Sequence, residues 1–292
     1  MLHLTTFLYR FSWNIFMKAV NFLEERKEDI TPVKKDEESF DFIASIPHAG
    51  VYVPKDLQEK YRLGRLALED TDLFTDDLYD LDKGIEIVAE LNRYVLNVNR
   101  PRLAGKAVQE YDDEDSLKNF LGDMNLSLQQ PLDEKEKHNL LNHYDTYHRL
   151  IREKLLELKD KKGHAILFDC HSMNSQGAPN TPDEGRRPEI AISSAGYETA
   201  SEPIVSLLQT AFREQGYDVV EDKPYYGGYT AERYGEPDQN IHALQIEIRK
   251  DVYMDEEGLK PTNVGNVNED IQSALSRTSD AFEARMSKDK IY

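Results

Sequence analysis

Apolar residues along the chain recur at two different periods, and the changes of period mark out the elements. Residues 40–46 read as an apolar strand that stops abruptly at Pro47-His48-Ala49-Gly50. In residues 69–80, Leu73, Phe74 and Leu78 fall at helical spacing with carboxylates on the remaining face, which predicts a helix. Residues 84–91 and 94–99 are two short strand-like runs, with Asn92-Arg93 as the turn between them. Leu140, Leu141, Tyr144, His148, Ile151, Leu155 and Leu158 form one stripe of a long amphipathic helix that Gly163 ends. A buried strand over residues 165–168 then runs into Asp169-Cys170-His171-Ser172. A Gly-, Pro-, Asn- and Asp-rich loop fills residues 174–187, and strands follow at 190–193, 217–220 and 243–248. Helices are expected at 200–214 and, on the surface, 266–286, and residues 224–240 read as a Gly- and Tyr-rich loop. Strands alternating with helices predict a single α/β domain, a mostly parallel mixed sheet flanked by helices.

Composition narrows the function classes. Against 36 basic residues stand 55 acidic ones, a net charge of −19, so a polyanion such as nucleic acid or an anionic membrane would be repelled. Cys170 is the only cysteine, which excludes a disulfide framework and a cysteine-rich zinc site, and places the expected location in the cytoplasm. The first 20 residues are rich in Phe, Leu and Ile, but Arg10, Asn14 and Lys18 interrupt them. That pattern predicts an amphipathic extension, not a membrane helix or a signal peptide. Residues 25–39 are a charged linker, so the expected organisation is an extension over 1–35 and one catalytic domain over 36–292.

Several strands that should be buried end in residues a core cannot use. The strand before Pro47 ends in His48, the middle one carries Asp169 and His171, and the last carries Glu247 and Arg249. The run at 94–99 leads into Arg100-Pro101-Arg102. In open α/β sheets ligands bind beyond the carboxyl ends of the strands, so these residues are expected to converge on one crevice. Read singly, each keeps two meanings. His48 is a loop histidine or a ligand. Asp169 and His171, two apart, share a side of the strand as a structural pair or as a metal ligand with its neighbour. Glu247 between Ile246 and Ile248 is a functional carboxylate or half of an ion pair with Arg249. Arg100 and Arg102 cap a sheet edge or serve the crevice. The acidic set Glu69, Asp70, Asp72, Asp76, Asp77 and Asp80 is a solvated helix face, or it supplies one oxygen ligand beside two imidazoles. Cys170 points away from this side; His143 reads as surface, and His148 has no assigned role.

Seven segments, in order, resemble the N-formylglutamate amidohydrolase family: SIPHAG (45–50), DTDLFTDDLYD (70–80), NVNRP (97–101), FDCHSM (168–173), RPEIAI (187–192), GGYTAERYG (227–235) and HALQIEIRKDVYMDE (242–256). They cover roughly residues 40 to 256. The chain departs from the common pattern with Ala49 after the first histidine and with Glu232 in the Gly-Tyr stretch. The resemblance implies a zinc-carboxypeptidase-type α/β fold and hydrolysis of an N-acyl amino acid. It also implies a Zn2+ ion on His48, His171 and Asp72, with Asp76 the rival third ligand. By the same resemblance Glu247 is the catalytic carboxylate, and Arg100 binds substrate or polarises the scissile carbonyl. Arg102, Arg233, Arg249 and Tyr229 are the further substrate-binding candidates, because bidentate guanidinium suits a dicarboxylate. The expected partner is a small anionic substrate, with no nucleic acid and no membrane; a homo-oligomer is allowed. Two other functions stay open: a deacylase or peptidase with a different substrate, and a non-catalytic binding protein that kept the fold.

Overall fold

A computed structural model describes residues 40–61, 65–102 and 130–289 of the chain. The amphipathic extension, the linker and most of the acidic stretch at 103–135 lie outside the described residues. By internal contacts the described residues group into two compact units, one comprising residues 47–61, 65–73, 88–102 and 130–148 and the other 40–46, 74–87 and 149–289.

The second unit carries the six-stranded sheet, in the order β2-β1-β3-β8-β6-β7. Its strands are β1 (Phe42–Ile46), β2 (Gly84–Val88), β3 (Ala165–Met173), β6 (Ile190–Ser193), β7 (Val219–Glu221) and β8 (Ile241–Arg249). Two short hairpins, β4 (Gln176–Gly177) with β5 (Gly185–Arg186) and β9 (Met254–Asp255) with β10 (Lys260–Pro261), lie outside it. β1 runs parallel to β3 and β3 parallel to β8, whereas β6 runs antiparallel to β8 and parallel to β7. The α/β class and the mixed, largely parallel sheet are as expected. All nine residues of β3 are buried, as suits a strand covered on both faces.

Helices follow from their sequence signals. The long helix, here α3 (Glu134–Lys162), opens on a reciprocal cap: Glu136 N–H donates to Asp133 Oδ1 at 2.9 Å and Asp133 N–H to Glu136 Oε2 at 2.6 Å. It closes with Lys159, Lys161 and Lys162 in the last turn, favourable to the helix dipole, and Gly163 leaves it at φ 78°. Every residue of the predicted stripe is buried. α4 (Glu202–Glu214) and α6 (Val264–Asp289) pack on each other, and α6 buries Val267, Ile271, Ala274, Leu275 and Phe282. No helix among the described residues is long and apolar enough to cross a membrane.

Three local expectations change. The single helix read over residues 69–80 is two short ones, α1 (Arg65–Glu69) and α2 (Thr75–Leu78), because Phe74 enters α2 at φ 65°, in the left-handed region. Residues 94–99 form turns and not a strand: Asn92 Oδ1 accepts Tyr94 N–H at 2.9 Å, and Asn92 O accepts from Val95 and Leu96. Side chains of Asn favour this local bond over a ladder, and Val95, Leu96 and Val98 are apolar because the turn packs inward. The stretch read as a loop at 224–240 includes a helix, α5 (Tyr229–Tyr234).

Candidate functional site

In the first unit, the chain leaving β1 reaches His48 two residues beyond Ile46. Gly50 is where it presses on another segment: a Cβ there would lie 2.3 Å from the backbone C and O of Glu90. Tyr52 N–H donates to Glu90 O and Asn92 N–H to Tyr52 O, closing a parallel bridge between Tyr52 and Leu91. His48 O in turn accepts Asp72 N–H at 3.1 Å. That bond, with Asn92 Nδ2 held on Thr71 Oγ1 at 3.2 Å, turns Asp72 inward. Its Oδ2 stands 3.6 Å from His48 Nδ1, with both side chains buried. On the ring's other side Nε2 is 2.9 Å from Asn97 Oδ1.

In the second unit, register brings together what the sequence scattered. Ser45 pairs with Asp169, His171 with Glu247, and Asp169 with Gln245. Side chains two apart share a face, so all five of these residues lie on one face of the sheet. Ser45 Oγ donates to Asp169 Oδ1 at 2.9 Å, and His171 Nε2 lies 3.1 Å from Asp169 Oδ2. Gln245 Nε2 donates to Glu247 Oε1 at 2.8 Å. Glu247 is 6% exposed and sits opposite Ala191 of β6 on its other side. Cys170 points to the opposite face; burial pushes its thiol pKa well up, so it is an inert packing residue.

His48, Asp72 and His171 are all buried and make up a candidate donor set for a metal ion. Asp76 is not in this group. The chemistry of the set fits a divalent cation. A ring whose Nε2–H is held by an oxygen presents its lone pair at Nδ1, and both histidines are held in that way. In His48 this turns an acceptor nitrogen toward a carboxylate oxygen, an arrangement that a cation stabilises. Two imidazoles and a carboxylate with a position left over are the donors of a hydrolytic zinc site.

Most of the expected substrate arginines already hold partners. Arg249 is 7% exposed and binds Asp251 Oδ1 at 2.5 Å, Arg187 O at 2.8 Å and Glu189 Oε1 at 3.5 Å, so it is not the ion-pair partner of Glu247. Arg102 pairs with Asp145 on the surface. Arg233 donates to Tyr229 Oη and lies over the rings of Tyr229 and Tyr234. Arg100 is exposed, with its guanidinium on Asn99 O at 3.1 Å. His148 is structural: it lies 2.9 Å from Val98 O and packs on Tyr144 and Tyr147. Tyr144 ties the Arg-bearing segment to α3, donating to Arg100 O at 2.9 Å and accepting Arg102 N–H at 3.1 Å. His143, read as a surface residue, is half-buried, and burial lowers its pKa. Ser45, Asn97 and Gln245 hydrogen-bond to candidate residues without having been expected at the site. For Gln245 the signal was present: a polar residue two before Glu247 in an otherwise apolar strand shares its face.

The comparisons with known proteins converge. The family model described as N-formylglutamate amidohydrolase matches residues 40–254. An N-formylglutamate deformylase of Pseudomonas putida is 29% identical over 228 residues, covering 73% of this chain and 82% of that protein. Its counterpart in Pseudomonas aeruginosa is 28% identical over 222 residues, covering 74% and 82%. The crystal structure of an N-formylglutamate amidohydrolase from Ralstonia eutropha superposes with a TM-score of 0.71 at 21% identity, over 86% of this chain and 98% of that one, which shows a shared fold. The matched span opens two residues before β1 and closes five beyond β8, so it takes in every residue of the buried set. With that span matched, the chain belongs to the N-formylglutamate amidohydrolase family.

Proposed function

We propose that this protein hydrolyses the formyl amide of N-formyl-L-glutamate, releasing formate and L-glutamate, at a zinc site formed by His48, Asp72 and His171. The observation that carries this reading is the buried His48–Asp72–His171 donor set inside the span matched by the family model. Zinc, when bound, supplies Lewis-acid activation of water and of the acyl carbonyl. Glu247 acts as general base on the attacking water and then delivers that proton to the leaving amine nitrogen. Gln245 holds one oxygen of this carboxylate, which fixes its direction.

Arg100 is proposed to meet the oxygen on which charge develops, an interaction commonly worth roughly 3 kcal/mol. Arg102, Arg233 and Arg249, with Tyr229, are proposed for the carboxylates of the substrate. They differ in what substrate must displace: an exposed pair such as Arg102–Asp145 is worth roughly 0–1 kcal/mol and exchanges readily. The buried network of Arg249 does not.

The test combines zinc content, a panel of N-acyl amino acids and the Glu247→Gln variant. Wild type should bind one zinc per chain and favour N-formylglutamate; dialysis against a chelator should abolish turnover, and zinc should restore it. Glu247→Gln should keep its zinc and lose about 10²- to 10⁴-fold in kcat. A zinc-loaded variant as fast as wild type would sink the general-base role. Turnover of another acyl compound alone would sink the substrate.

A further inference from the structure

Asn97 is 2% exposed and stands beside His48 without belonging to the donor set. Its side-chain oxygen takes two hydrogen bonds, from Asn99 N–H at 3.0 Å and from His48 Nε2 at 2.9 Å. The first of these decides the second. A backbone N–H only donates, so the end of the Asn97 amide facing Asn99 must be the carbonyl oxygen and not the NH2 group. The same oxygen faces His48 Nε2, which therefore carries the proton. A neutral imidazole protonated at Nε2 has its lone pair at Nδ1, the atom 3.6 Å from Asp72 Oδ2. Flipping the amide would set donor against donor at Asn99.

We infer that Asn97 is a positioning residue that locks His48 in its Nε2–H tautomer, so that the ring offers Nδ1 to the metal on the Asp72 side. The inference rests on the zinc reading given above. It assigns a task to the segment at 97–101, whose turn geometry now has a purpose: the Asn97–Asn99 bond is local, formed whenever this turn forms, and it orients the acceptor before any metal arrives. His171 is held in the same sense by Asp169, whose other oxygen takes Ser45 Oγ. The two holders differ in charge. A carboxylate makes its histidine a more basic ligand, whereas the neutral amide fixes direction without adding a negative charge beside Asp72.

The test uses full-length protein and Zn2+ itself. Zinc affinity is measured by competition with a chromogenic chelator for wild type, Asn97→Leu, Asn97→Ala and Asn97→Asp, the last keeping an oxygen where both N–H groups need it. Ring-nitrogen NMR of metal-free wild type, with His48→Gln to assign the signals, reads the tautomer directly. Expected are an Nε2–H ring, zinc binding about 10- to 100-fold weaker in Asn97→Leu and Asn97→Ala, and near wild-type binding in Asn97→Asp. The alanine variant decides the case if leucine prevents folding. Wild-type affinity in a folded Asn97→Leu or Asn97→Ala, or a proton found on Nδ1 of His48, overturns the inference while leaving the zinc reading intact. If wild type takes up no zinc, it is the zinc reading that fails, and the inference built on it fails too.

Discussion

Glu247 shows how a carboxylate is kept in a sheet that is otherwise apolar. It is buried among strands, yet Gln245, two residues earlier on the same face, donates to one of its oxygens. A hydrogen bond to a charged group contributes roughly 1.5–3 kcal/mol, so its removal should be visible in the chemistry. With Glu247 as the proposed general base, Gln245→Leu is expected to lower kcat by about 10- to 100-fold with little change in KM, because the bond would orient that base without touching substrate. Steady-state kinetics on zinc-loaded enzyme checks this. An equal loss confined to KM would mean that Gln245 contacts substrate instead.

At the scale of elements, His48 depends on a crossing that has no room for a side chain. The loop after β1 passes the 89–90 backbone so closely that a Cβ on Gly50 would overlap the Glu90 carbonyl. Backbone atoms cannot rotate away as a side-chain tip can, so the loop itself must shift. Gly50→Ala is therefore expected to destabilise the fold by about 1–3 kcal/mol, in the range of overpacking changes. Its zinc affinity should fall as well, since His48 is two residues away. Urea unfolding with and without zinc measures both effects; wild-type stability in the variant would refute the contact.

For the molecule as a whole, acid sensitivity has a source distant in sequence from the donor set. His242 is 2% exposed, accepts Ser201 N–H at Nδ1, and packs edge-on to Phe282, whose ring also meets His164. Its Nε2 has no hydrogen-bond partner among the described residues. Burial, then the nearby His164 and Lys159, push its pKa down from 6.5 to about 4. The sign follows: between these values the unfolded chain binds the proton more than the folded one does. Stability from this group is complete above pH 6.5 and is lost as pH falls toward 4, up to about 3 kcal/mol. Metal-free wild type should lose stability across that window, and His242→Leu should lose less over the same range. Parallel pH profiles in chemical denaturation would refute the assignment.

Much of this was legible in the chain itself. The periods of the apolar residues located the strands that build the sheet and the long helix with its cap and glycine stop, because local geometry imposes those periods. Polar residues at the ends of apolar strands marked His48, His171 and Glu247, since burying such groups without use is costly. Other features needed the folded chain. Asp72 looked like one carboxylate among six on a helix face, and only the left-handed residue at Phe74 and the bond from His48 O turn it inward. Asn97 looked like part of a strand, and a turn made it a clamp. Gln245 acquired a role once strand alternation set it beside Glu247 on the Asp169–His171 face. Sequence determined which elements form and where polar groups interrupt them, because those follow from neighbours along the chain. Tertiary structure decided which carboxylate turns toward His48 and which nitrogen of that ring it meets, because those depend on atoms that are close only after folding.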